Sequence, residues 1–148
     1  MRKITLILLV ILSFGHLSCE GDKKYSEYNE GDFYQVQGII TSANPTAYPF
    51  DLSTVKDIRF TYFLDRQNPI TGIEKKLQIH EAQKDYPIIV LVHKDDENIS
   101  FYGSVGILEN LNKKEQEVLS KHFQAQMDKI KSKTPDYIYN ALIKDTNN

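Results

Sequence analysis

Tyr86–Gly103, YPIIVLVHKDDENISFYG, is the stretch on which the architecture turns. Ile88–Val92 is wholly apolar and, apart from Leu91, β-branched, which predicts a strand near the centre of a sheet, covered on both faces. Lys94–Asn98, KDDEN, cannot continue an apolar strand and reads as a polar turn. Ile99, Phe101 and Gly103 then carry the chain back, so the segment predicts an antiparallel hairpin. Gly103 and Gly106 are positions for curvature, a bulge or close backbone packing.

Working towards the N-terminus, Ile73–Ile79 predicts an earlier strand with Leu77 and Ile79 inward. It is preceded by the turn-rich segment Asp65–Gly72, DRQNPITG, in which Gly72 is available for a positive φ. Ile58, Phe60, Tyr62 and Leu64 alternate with Arg59, Thr61 and Asp65, the period of a strand with one wet face, and Phe63 falls on the polar side. Tyr34, Val36, Gly38 and Ile40 alternate in the same way against Gln35 and Gln37 on the wet face, and give the first strand. Between these two lies TSANPTAYPFDLST, residues 41–54, where Pro45 and Pro49 exclude a central strand. Tyr48 and Phe50 flank Pro49. They either plug the core or present a contact surface, and a loop this long usually pins itself with its own side chains, which favours plugging.

Towards the C-terminus, Asn112 followed by Glu115 fits a capping box. Val118, Leu119, Phe123, Met127 and Ile130 then recur every three or four residues, predicting a helix from Lys113 to about Lys131 with Phe123 and Met127 in the core. Thr134 and Pro135 form a second cap, and Tyr137, Ile138, Ala141 and Leu142 can dock a shorter helix on the same core. The expectation is an α+β fold: a mainly antiparallel five-stranded sheet or partial barrel, followed by one long and one short C-terminal helix. About 110 residues carry the apolar pattern, enough for one domain and not two.

The first nineteen residues, MRKITLILLVILSFGHLSC, place Arg2 and Lys3 before eleven nearly unbroken apolar residues and end on the chain's single cysteine. The apolar run has the length of a signal-peptide core and is too short to span a bilayer. With Ser18 before Cys19, the leader resembles the bacterial lipoprotein signal, or lipobox, although His16 and Leu17 depart from its usual occupants. The resemblance covers the leader alone. It implies cleavage before Cys19 and acylation of that residue, an anchor that exceeds the two-chain requirement at about 0.8 kcal/mol per buried methylene. Glu20, in place of the aspartate that signals inner-membrane retention in enteric bacteria, implies the outer membrane, with a periplasmic or surface-facing domain. The expected organisation is a signal peptide over 1–18, a lipid-anchored flexible tether over 19–32, EGDKKYSEYNEGD after the cysteine, and a single domain over 33–148. Tyr25 and Tyr28 of the tether can dock on the domain edge, although exposed aromatics in a linker need no function.

The chain has 18 basic and 20 acidic side chains, without the concentrated basic footprint of a nucleic-acid binder. No cysteine follows Cys19, so disulfides cannot staple the domain. There is no CxxC pair or HExxH, and His80, His93 and His122 are scattered. Asp95, Asp96 and Glu97 lack the spacing and glycine of a calcium loop. Ser104 lies in YGSVG, which is not a nucleophile elbow. No catalytic residue, metal or cofactor is nominated. The lysine-rich long helix reads as a solvated outer face. These readings point to a noncatalytic cell-envelope lipoprotein that binds a protein partner or joins an envelope assembly, held to the membrane through Cys19. The candidate contacts are Tyr48, Phe50, Phe63 and Tyr102. The alternatives are a small-molecule or glycan-binding lipoprotein and, behind it, an enzyme without a recognisable motif.

Overall fold

A computed structural model describes residues 23–135. The expected signal peptide over 1–18, Cys19 and the expected second helix around Tyr137–Leu142 lie outside the described residues. Five strands, β1 (Phe33–Pro45), β2 (Val55–Tyr62), β3 (Ile70–Gln78), β4 (Pro87–His93) and β5 (Ser100–Val105), are followed by the helix α1 (Lys113–Lys133). The strands form one antiparallel sheet in the order β3-β2-β1-β4-β5, curled into a half-barrel.

The period of two divides the strand residues between two cores. Val36 and Ile40 of β1, Ile58, Phe60 and Tyr62 of β2, and Ile88, Val90 and Val92 of β4 fill the concave face. On the convex face Ile39 and Leu64 meet Leu119 of α1, with Leu111, Val118 and Phe123 at the margin. The β4–β5 hairpin forms as its sequence predicts. Ile89 opposes Ser104 while Val90 opposes Tyr102, which leaves Gly103 as a bulge. A side chain there would press on the Ile89 carbonyl, 2.9 Å from an added Cβ.

The half-barrel is drawn shut along β3 and β5 by side chains. Glu74 of β3 accepts a hydrogen bond from the Tyr102 N–H on the free edge of β5 at 2.8 Å, so a carboxylate occupies a backbone donor that a further strand would otherwise use. At one end, Arg66 forms a two-pronged ion pair with Glu97 (2.6 and 2.7 Å), and the Tyr62 hydroxyl donates to the Glu97 carbonyl at 2.6 Å, tying the β2–β3 turn to the tip of the β4–β5 hairpin. At the other end the loop before β4 folds inward. Ala82 is fully buried, and Lys56 Nζ donates to its carbonyl at 2.7 Å and to that of His80 at 3.2 Å.

Burial, opposed by the Tyr102 N–H, raises the Glu74 carboxyl above the ordinary glutamate range. The native state therefore holds this proton more tightly than the unfolded chain. Glu74 thus lowers stability as pH rises from the unfolded glutamate value through the folded one. Asp96 and Glu97, held below their usual values by Asn98 and Arg66 respectively, act in the opposite sense at lower pH. Glu74→Gln keeps an oxygen for Tyr102 and removes the titrating charge. In urea melts across pH, the difference between wild type and Glu74→Gln is expected to grow in the variant's favour above the unfolded value. A pH-independent difference would show that the carboxylate is solvated.

Several boundaries differ from expectation. β1 runs through to Pro45, inside the stretch read as loop. Beyond Ile39 it pairs with β2 alone, so Pro45 occupies an edge, where a missing N–H leaves no partner wanting. β3 starts at Ile70, and Gly72 takes no positive φ. It lies within the strand facing Phe60, where a Cβ would stand 2.4 Å from the ring. Phe63 takes the positive φ instead, at 54°, and this breaks the alternation: Phe63 turns into the concave core, whereas Leu64 faces the convex one. In α1, Asn112 and Glu115 complete the expected capping box. Only Leu119 of the helix is buried, Phe123 is half-buried, and Met127 is 47 % exposed, because the sheet ends beneath the middle of the helix.

Candidate functional site

The largest apolar exposure on a single loop lies between β1 and β2. The ends of β1 and β2, paired from Ser42–Arg59 to Pro45–Lys56, extend past β4 as an arm, and residues 46–54 form its tip. The tip is tied within itself. Thr46 N–H donates to the Val55 carbonyl at 3.1 Å, Val55 N–H to Leu52 at 2.9 Å, and Asp51 N–H to Tyr48 at 3.1 Å. The Thr46 hydroxyl donates to Asp51 Oδ2 at 2.5 Å, which occupies the loop's one carboxylate.

On this frame Tyr48, Phe50 and Leu52 are 56 %, 84 % and 66 % exposed. The Tyr48 and Phe50 rings meet edge to face at 5.6 Å, and Lys76 Nζ lies 5.7 Å from the Tyr48 ring centre. Lys76 lies in the β3 bulge opposite Asp57, at φ 56°, with its N–H held by Asp57 Oδ1 at 2.9 Å. The result is an apolar point with a cationic shoulder. The plug reading of Tyr48 and Phe50 is thereby overturned. The concave core at this end is already filled by Ala82, with Ala43, Leu77 and Ile79 packed against it.

The other two candidate contacts do not join this patch. Phe63 is buried in the concave core, with the Arg66 guanidinium 3.6 Å from its ring centre. Tyr102 is half-buried against the same core, and burial raises its phenol above the usual tyrosine range. Leu52 belongs to the tip and was missed, because a single leucine in a loop carries no periodic signal.

A second aromatic assembly lies at the opposite end of β1. Short 3₁₀ turns at Tyr25–Glu27 and Glu30–Asp32 place Tyr25 and Tyr28 on the convex face against Phe33, Phe101 and His93, with ring centres 5.2–5.8 Å apart. Lys94 secures the segment through its N–H to the Asp32 carbonyl at 2.8 Å and its Nζ to the Gly31 carbonyl at 2.5 Å. The segment before the domain is thus docked from Tyr25 onward through its two tyrosines. These rings cover one another, and the cluster reads as a packed collar.

A groove of about 420 Å³ beside α1 is lined by Ile107, Leu111, Leu119, Phe123 and Met127, with Gln116 and Gln124 at its rim. It is open along its length. Among the described residues, no three His, Cys, Asp or Glu side chains stand close enough to share a metal ion. His122 Nε2 donates to the Asp85 carbonyl at 2.9 Å, and His93 Nδ1 accepts from the Asp95 N–H at 3.2 Å, so both rings have structural partners. Also among the described residues, no helix is long and apolar enough to cross a membrane. The chain matches no family model, no curated protein and no solved structure.

Proposed function

We propose that this chain is a noncatalytic lipoprotein of the bacterial cell envelope, anchored through acylated Cys19, which presents the aromatic tip of its β1–β2 arm to a protein partner. The observation that carries the reading is the exposure of Tyr48, Phe50 and Leu52 on a loop braced by its own hydrogen bonds. Aromatic side chains on a pre-ordered frame lose little conformational entropy on binding and dominate contact energies.

The orientation agrees with this use. The chain enters the domain at Phe33, and β1 carries it about 40 Å along the strand to Pro45 at the usual rise per residue. From Cys19 to Lys23 the chain can span at most about 14 Å. An acylated Cys19 therefore holds the collar end close to the outer membrane and directs the tip away from it, towards a protein. The same proposal takes the chain beyond Pro135 as the second, shorter helix.

The test places a photo-crosslinking amino acid at Phe50 in the native host. One protein adduct of defined mass is expected. Adding Tyr48→Ser should weaken capture at least tenfold, the effect of losing one aromatic anchor. Tyr48→Ser and Phe50→Ser together should change folding stability by less than about 0.5 kcal/mol, as for exposed positions generally. Adducts to lipid alone, or none above those from a probe at Gln35, would overturn the protein-partner reading.

A further inference from the structure

The C-terminal third of α1 has an apolar stripe without a floor. Gln126 is the last half-buried residue of the helix, and each residue of Met127–Lys133 is exposed, with Met127 and Ile130 at 47 % and 53 %. These two continue the line of Leu119 and Phe123 at helical spacing, so the stripe outlasts the sheet that should cover it. We infer that residues 136–143 cover this overhang, turning back at Thr134 to lie antiparallel on Met127 and Ile130 as an αα-hairpin. The inference rests on the proposal that this segment is helical, and it adds where the helix docks.

Three observations support that occupant. Thr134 has φ −102° and ψ 127°, an extended conformation that ends α1 while its N–H still bonds to the Ile130 carbonyl at 3.0 Å. The same dihedrals are those of an N-cap, and Pro135 follows at the position proline favours in a new helix, so one residue can serve both ends of a tight turn. Next, Tyr137, Ile138, Ala141 and Leu142 fall at i, i+1, i+4 and i+5, which is one face of a helix. Finally, the lengths match. Counting back from the turn at equal rise, Ile138 comes level with Ile130 and Leu142 with Gln126 and Met127. The apolar run ends at Ile143, followed by KDTNN, level with Gln126, the last half-buried residue of α1.

Met127 is the only methionine besides Met1, so methyl labelling of methionine reports the overhang cleanly. In the full chain with ¹³C-methyl Met and Leu, cross-relaxation is expected between the Met127 and Leu142 methyl groups. Leu142→Gln should abolish it and raise the rate of Met127 oxidation by peroxide severalfold. Backbone ¹³C shifts of residues 136–143 separate the two levels. Helical shifts without Met127–Leu142 contact would overturn the docking and leave the helix standing. Non-helical shifts would overturn both. Contact seen only between differently labelled copies in a mixed sample would assign the stripe to a second copy and likewise overturn the inference.

Discussion

Gln37→Leu is expected to destabilise the domain by about 3 kcal/mol, a fall of about 12 °C in melting temperature for a chain of this size. Gln37 is fully buried on the convex side of β1. Its Nε2 donates to the carbonyls of Ile88 (2.9 Å), Gly38 (3.1 Å) and Gly106 (3.2 Å), and its Oε1 accepts from the Leu108 N–H at 2.9 Å. One amide thus fastens the segment between β5 and α1 to the centre of the sheet. Leucine fills nearly the same volume, so no large cavity opens. The cost comes from groups left without partners, above all Leu108 N–H and the Gly106 carbonyl, at about 1–3 kcal/mol each. Gln37→Glu should be worse, since it aims carboxylate oxygens at three carbonyls. Urea denaturation measures the loss, and a change under about 1 kcal/mol would mean that residues 106–108 find substitutes readily.

Gly72→Ala is expected to cost about as much, by the opposite route. A Cβ there would lie 2.4 and 2.5 Å from two atoms of the Phe60 ring and 2.7 Å from Ser100 Oγ. Phe60 is fully buried and pressed between β2 neighbours and the rest of the concave core, so the ring cannot swing aside without displacing others. Overpacking of this kind costs about 1–3 kcal/mol. Because Gly72 and Ser100 lie on the strands that face each other across the closure, the clash also forces β3 from β5 and strains the Glu74–Tyr102 bond. Phe60→Leu should absorb part of the added methyl. The double variant is then expected to be more stable than the sum of the single losses, and strict additivity in a double-mutant cycle would refute contact through this ring.

What the sequence disclosed followed the strength of its periodic signals. Five strands, the β4–β5 hairpin and the Asn112–Glu115 cap of α1 all rest on local patterns, and local patterns survive folding; at Gly103 a bulge was one of three roles offered. The partial barrel was anticipated as one of two arrangements. The misreadings sit where tertiary structure overrides local preference. Residues 41–45 were read as loop because Pro45 and Pro49 exclude a central strand, but β4 stops short and leaves that part of β1 an edge. Phe63 was assigned to the polar face because alternation cannot register a single left-handed residue. Met127 was placed in the core because a helical stripe does not disclose where the sheet beneath it ends. Of the candidate contacts, Tyr48 and Phe50 share the tip, whereas Phe63 and Tyr102 pack in or against the concave core. Gln37 was placed on the wet face of the first strand, but it is fully buried, because its amide serves carbonyls 51 and 69 residues away.

The two-sided use of β1 gives the molecule unequal tiers of cohesion. The concave core draws on all five strands and the loop at Ala82, and its members secure one another without α1. The convex core has three buried residues, of which Leu119 alone comes from the helix. Release of α1 would uncover that small cluster while the concave core and both closures of the half-barrel stay in place. The helix is therefore a separable foldon, able to open at a free energy well below that of global unfolding. A protease that cuts within α1 would find its substrate in an otherwise native population.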